Sequence, residues 1–193
     1  MRVKICGITR PADARFAEQQ GADAIGVVVF SGGVSQRAVG EERAREIFDA
    51  VGPFTTTVAV SHTTSEDDLE RMIALRPHAI QISHPFRFDD DPKVRVIRVI
   101  GRGNPLPEDC DAVIVDDSHG KGRGFDLTYA MDAVKRSKVP VILAGGLTPE
   151  NVGEAIYRVR PYAVDVASGV EESPGIKDRK KVKAFIAACR TVP

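Results

Sequence analysis

The sequence predicts a (β/α)8 barrel, a closed ring of eight parallel strands surrounded by helices. Eight short apolar runs rich in β-branched residues are spaced along the 193-residue chain, and this barrel needs eight strands. Several runs are apolar throughout rather than alternating, which is typical of strands covered on both faces. Segments with helical periodicity lie between many of these runs, as crossover connections between parallel strands require.

The eight predicted strands follow one another with room for a crossover after most of them. They are Val3–Cys6, Ala24–Phe30, Thr55–Ser61, Ala79–Ser83, Val94–Ile100, Ala112–Asp116, Val139–Ala144 and Ala163–Ala167. Because all strands of such a barrel are parallel, their carboxyl ends meet at one rim, where the active sites of these barrels lie. The residues that directly follow each strand are therefore the candidates for chemistry.

Four segments place apolar side chains at positions i, i+3, i+4 and i+7, which predicts amphipathic helices. They are Ala44–Val51, Leu127–Val134, Val152–Val159 and Val182–Cys189. A further helix is predicted over Pro11–Gln20, and another begins at Ser65, where Asp68 completes a capping-box pair. Thr148 and Pro149 are interpreted as the N-cap and first residue of the helix before the last strand.

The middle of the chain fits the barrel least well. Gly101–Glu108 is too rich in Gly and Pro for a full helix, and the crossover Pro85–Lys93 is short. The length is also slightly below the ~200–250 residues usual for this fold, so an open doubly wound sheet is the alternative. With no linker or repeat in the sequence, we expect one domain over residues 1–193.

Composition and charge exclude several classes of partner. Lys plus Arg and Asp plus Glu each number 27, which gives a net charge of zero and no long-range attraction to nucleic acid or an anionic membrane. No stretch approaches the ~20 apolar residues of a membrane span. The N-terminus begins with the charged, strand-like run Arg2–Ile5 rather than with an apolar signal segment.

The cysteines and histidines predict neither a disulfide framework nor a metal centre. The three cysteines, Cys6, Cys110 and Cys189, have no CxxC spacing, which favours a protein of the reducing cytoplasm. The four histidines have no metal-ligand spacing such as HExxH. We therefore expect no metal ion.

Strands one and six lead into candidate acid–base residues. Cys6 ends the first strand and is either a small buried apolar residue or a base, and a base would need a lowered thiol pKa. The sixth strand leads into Gly120–Gly124, which carries two cations and is either a surface loop or a lid over the site. Asp126 follows as either a helix cap or an acid at the barrel mouth.

Strands seven and eight lead into small residues that suit an anion site. Gly145 and Gly146 follow strand seven, and Ser168 and Gly169 follow strand eight. These two loops form the usual phosphate site of such barrels, with ordinary turns as the alternative interpretation. Arg37, after strand two, could hold a carboxylate through two hydrogen bonds, although a lone arginine is usually just solvated.

Motifs along most of the chain narrow this interpretation to one family. They are Lys4–Thr9 (KICGIT), Gly21–Gly26 (GADAIG), Ala144–Val152 (AGGLTPENV), Val164–Glu171 (VDVASGVE) and Ser173–Asp178 (SPGIKD). Together they resemble the phosphoribosylanthranilate isomerases, enzymes of tryptophan biosynthesis with a (β/α)8 barrel. The resemblance covers nearly the whole chain and is weakest in the middle third.

The resemblance implies roles for individual residues. Cys6 corresponds to the general base and Asp126, in Gly-Phe-Asp, to the general acid of an Amadori rearrangement that needs no cofactor. Arg37 corresponds to the arginine that faces the substrate carboxylate. The implied substrate-binding residues are Arg37, Gln81, Gly145, Gly146, Asp165, Ser168 and Gly169. The expected partner is a small phosphosugar–anthranilate substrate, and the chain is a monomer or a homodimer.

The chain departs from the family pattern beside several of these residues. Gln36 stands in place of a proline, Ala38 of an aromatic residue, and Leu127 of a tryptophan. Ser83-His84-Pro85 replaces Leu-His-Gly, and Ala167 replaces the first of two serines. The acid–base pair is retained, whereas the surroundings of the substrate contacts differ.

Two other functions remain as alternatives. One is a different phosphosugar isomerase or epimerase on the same barrel, which would resemble enzymes with two aspartates as acid and base; Cys6 argues against it. The other is a phosphate-binding barrel protein without catalytic activity, which the retained Cys6 and Asp126 oppose.

Overall fold

The computed structural model describes residues 1–88, 92–116 and 127–192. Eight parallel strands form a closed barrel in chain order, and β1 pairs with both β2 and β8. This closure confirms the predicted (β/α)8 barrel and excludes the open doubly wound sheet.

The strands lie where the apolar runs predict them. They are β1 (Arg2–Ile5), β2 (Ala24–Val28), β3 (Thr56–Ser61), β4 (Ala79–Ile82), β5 (Arg95–Ile100), β6 (Ala112–Asp116), β7 (Val141–Ala144) and β8 (Ala163–Val166), followed by a small antiparallel hairpin of β9 (Glu171–Ser173) and β10 (Ile176–Lys177). All eight barrel strands are confirmed, with ends that differ from prediction by at most two residues.

The described helices are those that the sequence predicts, four from apolar periodicity and two from their end signals. They are α1 (Pro11–Gln19), α2 (Glu41–Phe48), α3 (Glu66–Ala74), α4 (Leu127–Arg136), α5 (Val152–Val159) and α6 (Arg179–Arg190), with one 3-10 turn over Ser168–Val170. Their buried residues, such as Ala44, Ile47 and Phe48 of α2, form the stripe that packs on the sheet. No helix in the described part of the chain is long and apolar enough to cross a membrane.

Two predicted helix starts differ from the structure in detail. Ser65 caps α3 by accepting a hydrogen bond from Asp68 N, but the Asp68 carboxylate accepts from Thr63 Oγ1 (2.9 Å), so the capping box is not reciprocal. The prediction of Thr148 as an N-cap is wrong, because α5 begins only at Val152. A turn precedes α5, and the side chain of Asn151, the residue directly before the helix, closes that turn.

That turn belongs to the rim of the barrel. The Asn151 side chain accepts from Thr148 N (2.8 Å) and donates to Gly146 O (2.9 Å). These bonds pair one backbone N–H and one carbonyl of the loop that precedes α5. The loop after β7 is therefore held to the start of α5 by one asparagine.

In the described residues, the two crossovers predicted to lack full helices contain no helix. Residues 101–111, between β5 and β6, contain no helix, and neither do the described residues 83–88 and 92–94 between β4 and β5. The buried Phe86 packs against the core there in place of a helix. Buried Arg98 donates to the carbonyls of His84 (2.8 Å) and Phe86, which fixes this loop on the outside of the barrel.

Strand alternation divides the core into two layers. Outward-facing residues such as Ile5 and Ile25 pack under the helices, whereas Val58, Ile114 and Ile142 fill the barrel interior. Lys4 and Cys6 flank Ile5 and therefore face the interior. A lysine inside a barrel needs polar partners, and these define the candidate site.

Candidate active site

Cys6 lies at the carboxyl end of β1, on the rim where barrel active sites are found. Its backbone N–H donates to Val166 O (2.8 Å), and the residue is 7% exposed. Burial raises the pKa of the Cys6 thiol, while the positive charges of Lys4 and Lys177 act in the opposite direction. Cys6 therefore rests as a thiol, and the lowered pKa expected of a base is not present in the free protein.

Lys4 lies one layer below Cys6, inside the barrel. Its ammonium group donates to Asp165 Oδ1 on β8 and to Gln81 Oε1 on β4, both at 2.9 Å. Burial disfavours the charge of Lys4, but the interactions with Asp165 and Cys6 together outweigh it and raise the pKa of Lys4. Two residues expected to bind substrate, Gln81 and Asp165, are thus brought together as partners of a lysine that the sequence analysis did not single out.

A second charged group lies beside the rim. Glu171 accepts hydrogen bonds from Arg37 Nε (2.9 Å), Arg37 Nη2 (2.6 Å), Lys177 Nζ (2.9 Å) and Gly175 N (3.2 Å). Lys177 Nζ also donates to Ala167 O (3.1 Å). We name these three residues, Arg37, Glu171 and Lys177, the Glu171 cluster. The cluster connects the loop after β2 to the segment after β8.

The Glu171 cluster changes the expected role of Arg37. Two nitrogens of its guanidinium are occupied by Glu171, and Nη1 donates to no acceptor within residues 1–88, 92–116 and 127–192. The Arg37 side chain packs against Gly7, where a β-carbon would lie only 2.6 Å from Arg37 Cδ. Arg37 is therefore held beside Cys6, with one edge of its guanidinium open.

Charge pairing fixes the ionisation of the cluster. Burial favours the neutral form of Glu171, but hydrogen bonds from Arg37 and the charge of Lys177 outweigh it and lower the pKa of Glu171. Burial also lowers the pKa of Lys177, against the attraction of Glu171. The cluster therefore holds an ionised carboxylate between cations at neutral pH.

The loops after β7 and β8 touch backbone to backbone. A β-carbon on Gly169 would lie 1.9 Å from the carbonyl oxygen of Leu147, so only glycine permits this approach. The chain turns after β7 through positive φ angles at Gly145 (91°) and Gly146 (64°). Among the hydrogen bonds of the described residues, none is donated by the backbone N–H of Gly146, Ser168 or Gly169. Free N–H groups close together suit an anion.

We expect Gly169→Ala to separate these loops. The added methyl group cannot be accommodated at 1.9 Å from a backbone oxygen, so KM for a phosphorylated substrate should rise at least roughly tenfold while kcat changes less. Gly153→Ala is the matched control, because its β-carbon would meet only Val192 Cγ2 at 3.8 Å and the residue lies within α5. Steady-state kinetics that gave the same KM for both variants would contradict the anion site.

A cleft opens beside these groups at the carboxyl ends of β3 to β6. It has a volume of about 600 Å³, and its lining includes His62, Ser83, Val99 and Asp116. In the described ranges, no group of three or more His, Cys, Asp or Glu side chains is arranged to hold a metal ion. Within the described residues, the groups at this rim include a thiol, ammonium and guanidinium groups, carboxylates, an imidazole and backbone amides.

The predicted site residues fall into three places. Cys6 lies above Gln81 and Asp165, which are connected through Lys4; Arg37 lies beside Cys6; and Gly145, Gly146, Ser168 and Gly169 lie on the touching loops. Asp126 and the loop Gly120–Gly124 lie outside the described residues.

Three charged residues of the described site had no role predicted from the sequence: Lys4, Glu171 and Lys177. One signal could have identified Lys4, because a lysine two positions before Cys6 on a strand must share its face. Asp165 gives a similar signal, because it is an isolated charge within an apolar strand and therefore needs a buried partner. The partners of Glu171 come from distant segments, and no local pattern identifies them.

The fold places the chain among the (β/α)8 barrels, whose active sites lie at the carboxyl ends of the strands and whose last two loops often bind phosphate. A family model described as N-(5'-phosphoribosyl)anthranilate (PRA) isomerase matches residues 3–188. The chain belongs to this family.

Individual relatives agree with this assignment. The N-(5'-phosphoribosyl)anthranilate isomerase of Methanoregula boonei is 64% identical over 190 residues, covering 98% of this chain and 97% of the relative. A crystal structure of a phosphoribosyl anthranilate isomerase in complex with reduced 1-(o-carboxyphenylamino)-1-deoxyribulose 5-phosphate has 33% identity and a TM-score of 0.80, with 98% of each chain covered. A structure from Thermotoga maritima, described as monomers generated from a dimeric enzyme, has 32% identity and a TM-score of 0.81, with 99% of each chain covered.

Proposed function

We propose that this chain converts N-(5-phosphoribosyl)anthranilate to 1-(2-carboxyphenylamino)-1-deoxyribulose 5-phosphate, an isomerisation in tryptophan biosynthesis. The observation that carries the proposal is the placement of Cys6 on the same rim as the touching loops after β7 and β8, in a chain of the PRA isomerase family. A thiol and an anion site on one rim allow the enzyme to hold the phosphate at one end of the sugar while the other end reacts.

The reaction needs one acid and one base. As the acid, Asp126 gives a proton to the ring oxygen of the sugar, and the furanose opens to a protonated Schiff base. As the base, Cys6 in its thiolate form removes the proton from sugar C2, and the electrons of that bond move toward the nitrogen to form an enolamine. Tautomerisation of the enolamine gives the ketone. The redox change stays within the substrate, so the proposal includes no cofactor.

The two anionic groups of the substrate, its phosphate and its carboxylate, are bound by residues on different sides of Cys6. The free N–H groups of Gly146, Ser168 and Gly169 hold the phosphate, with Gly145 shaping the turn. The open edge of Arg37 faces the carboxylate of the anthranilate ring, while Glu171 keeps the guanidinium in place.

Gln81 and Asp165 act on the substrate through Lys4. Both are buried and accept hydrogen bonds from Lys4 Nζ at 2.9 Å. Their contribution to binding is therefore to order the floor of the site below Cys6.

The test is the fluorescence of freshly generated phosphoribosylanthranilate after addition of the wild-type protein. Rapid, saturable loss of fluorescence that inorganic phosphate inhibits competitively supports the proposal. Folded protein that binds phosphate without accelerating the loss would instead indicate the non-catalytic barrel. Turnover of other phosphosugars alone would indicate a different isomerase.

The assembly we propose is a homodimer formed through the amino end of the barrel. Phe54, between α2 and β3, is 98% exposed at that end. A cavity of about 500 Å³ opens at the same end, and its mainly apolar lining includes Ala24, Ala79, Ala112 and Ala163. A second copy related by a twofold axis would cover both features at once, and the T. maritima relative is described as dimeric.

We expect Phe54→Ser to shift the protein from dimer to monomer in sedimentation velocity. The substitution removes a large apolar side chain from the centre of the proposed contact, where truncation typically costs ≥ 2 kcal/mol. Val34→Ser is the control, because Val34 is also exposed (89%) but follows β2 at the opposite end of the barrel. A wild type that sediments as a monomer at all concentrations would refute the dimer.

A further inference from the structure

Lys4 and Cys6 occupy adjacent layers of the barrel interior. They are two residues apart at the end of β1, so their side chains leave the strand on the same face. Lys4 is 3% exposed, and two of the three N–H donors of its ammonium group are taken by Asp165 and Gln81. The third N–H donor of Lys4 remains available for an interaction with Cys6.

Gly26 on β2 leaves space for this arrangement. A β-carbon at Gly26 would lie 2.8 Å from Cys6 Sγ and 3.1 Å from Lys4 Nζ. The sulfur and the ammonium nitrogen therefore flank a single point on the neighbouring strand, and only a glycine leaves that point empty. The two groups are close in the buried interior, where charges interact more strongly than they do in water.

Several charges face Cys6 from the surrounding elements. Lys4 on β1 and Lys177 on β10 favour the thiolate, and Asp165 on β8 disfavours it. The guanidinium of Arg37, from the loop after β2, lies beside Gly7 and also favours the thiolate form of Cys6. Of these groups, Lys4 is fixed by two buried acceptors and does not depend on the substrate for its position.

We propose that Lys4 is a positioning residue for the base: anchored by Asp165 and Gln81, it holds a positive charge against Cys6 so that the sulfur can exist as a thiolate when it removes the substrate proton. This inference rests on the proposed function for the identity of the base step. In that step the C2–H bond breaks, an S–H bond forms, and the electron pair moves toward the Schiff-base nitrogen. Lys4 exchanges no proton with the substrate.

The test measures the thiol itself as well as turnover. In the full chain, the rate of iodoacetamide alkylation at Cys6 is followed by peptide mass spectrometry from pH 6 to 10 for wild type and Lys4→Met. We expect the alkylation rate at neutral pH to fall roughly tenfold, as for a one-unit rise in the thiol pKa. The rising limb of the kcat/KM profile should move to higher pH by the same amount. Lys183→Met, which changes an exposed lysine on α6, should move neither profile.

A second variant keeps the proposal testable if Lys4→Met does not fold. Lys4→Met leaves the Asp165 carboxylate buried without its cation, which is strongly destabilising. Lys4→Met/Asp165→Asn removes both charges and should give a smaller alkylation shift in the same direction, because Asp165 opposes the thiolate. Unchanged Cys6 alkylation in the folded variants, with reduced activity, would assign Lys4 a purely structural role. A shifted alkylation profile in a protein that does not turn over phosphoribosylanthranilate would retain the Lys4–Cys6 pairing and reject the proposed function.

Discussion

Replacing Cys6 by alanine is expected to lower kcat for phosphoribosylanthranilate by about 10²–10⁴-fold, the usual contribution of a positioned general base. The substitution removes the thiol that follows β1, the proposed acceptor of the C2 proton, while leaving the backbone bond from Cys6 N to Val166 O in place. KM should change little, because the anion site lies on the loops after β7 and β8. Initial rates from the fluorescence assay, with circular dichroism as a check on folding, measure both effects.

The control for this substitution is Cys110→Ser. Cys110 is a half-buried free thiol in the connection between β5 and β6, away from the Glu171 cluster and the loops after β7 and β8. Its replacement should leave kcat and KM within twofold of wild type, on the order expected for a residue outside the site. Near-normal turnover by Cys6→Ala would show that another group is the base.

The kcat/KM of the wild-type protein should depend on pH. Because burial raises the pKa of the Cys6 thiol, the active thiolate form is scarce at neutral pH in the free protein. The wild-type kcat/KM should therefore increase with pH above neutrality until the thiol is ionised, since this ratio reports the free enzyme. A profile that is flat through this range would mean that Cys6 does not have to ionise.

Replacing Glu171 by glutamine is expected to lower the free energy of unfolding by about 3 kcal/mol at neutral pH, because it leaves Lys177 and Arg37 without their anion. Glu171 accepts from both cations and from Gly175 N, so the substitution also loosens the connection between the loop after β2 and the segment after β8. Urea denaturation measures the loss. Glu172→Gln, at the exposed neighbouring position, should stay within about 0.5 kcal/mol of wild type.

The effect of Glu171→Gln should disappear in acid. The folded-state pKa of Glu171 is lowered, so its stabilisation is fully present above the unfolded-state value of about 4.3 and is lost as the pH falls through the folded-state pKa. The difference in unfolding free energy between wild type and Glu171→Gln should therefore shrink below about pH 4. A difference that stays constant into acid would mean that the carboxylate charge is not what stabilises the cluster.

The barrel itself could be predicted because its strands are encoded locally. Apolar, β-branched runs such as Thr55–Ser61 and Ala112–Asp116 are strands in the structure, with nearly the predicted bounds. The absence of a full helix over Gly101–Glu108 followed from the Gly and Pro content of that segment. Thr148 was misplaced because its Oγ1 accepts from Glu150 N (3.3 Å) in a turn that precedes the helix, and Asn151 is the residue directly before α5.

The charged part of the site could not be predicted in the same way. Lys4 meets Asp165 only because β1 closes the barrel against β8, and the two residues lie 161 positions apart. Arg37 and Glu171 are 134 positions apart and meet because the loop after β2 reaches the segment after β8. Which charges neutralise one another inside a barrel depends on its closure, and periodicity along the chain carries no information about that pairing.

The central claim is that this chain isomerises its substrate rather than only binding or cleaving it. The most direct measurement is a carbon NMR time course with phosphoribosylanthranilate labelled with ¹³C at sugar C2 and wild-type protein in catalytic amount. The account predicts that the alcohol carbon is replaced by a ketone carbon while the anthranilate nitrogen stays attached to the sugar. A label that remains an alcohol carbon, or one that appears in free phosphoribose with release of anthranilate, would contradict it.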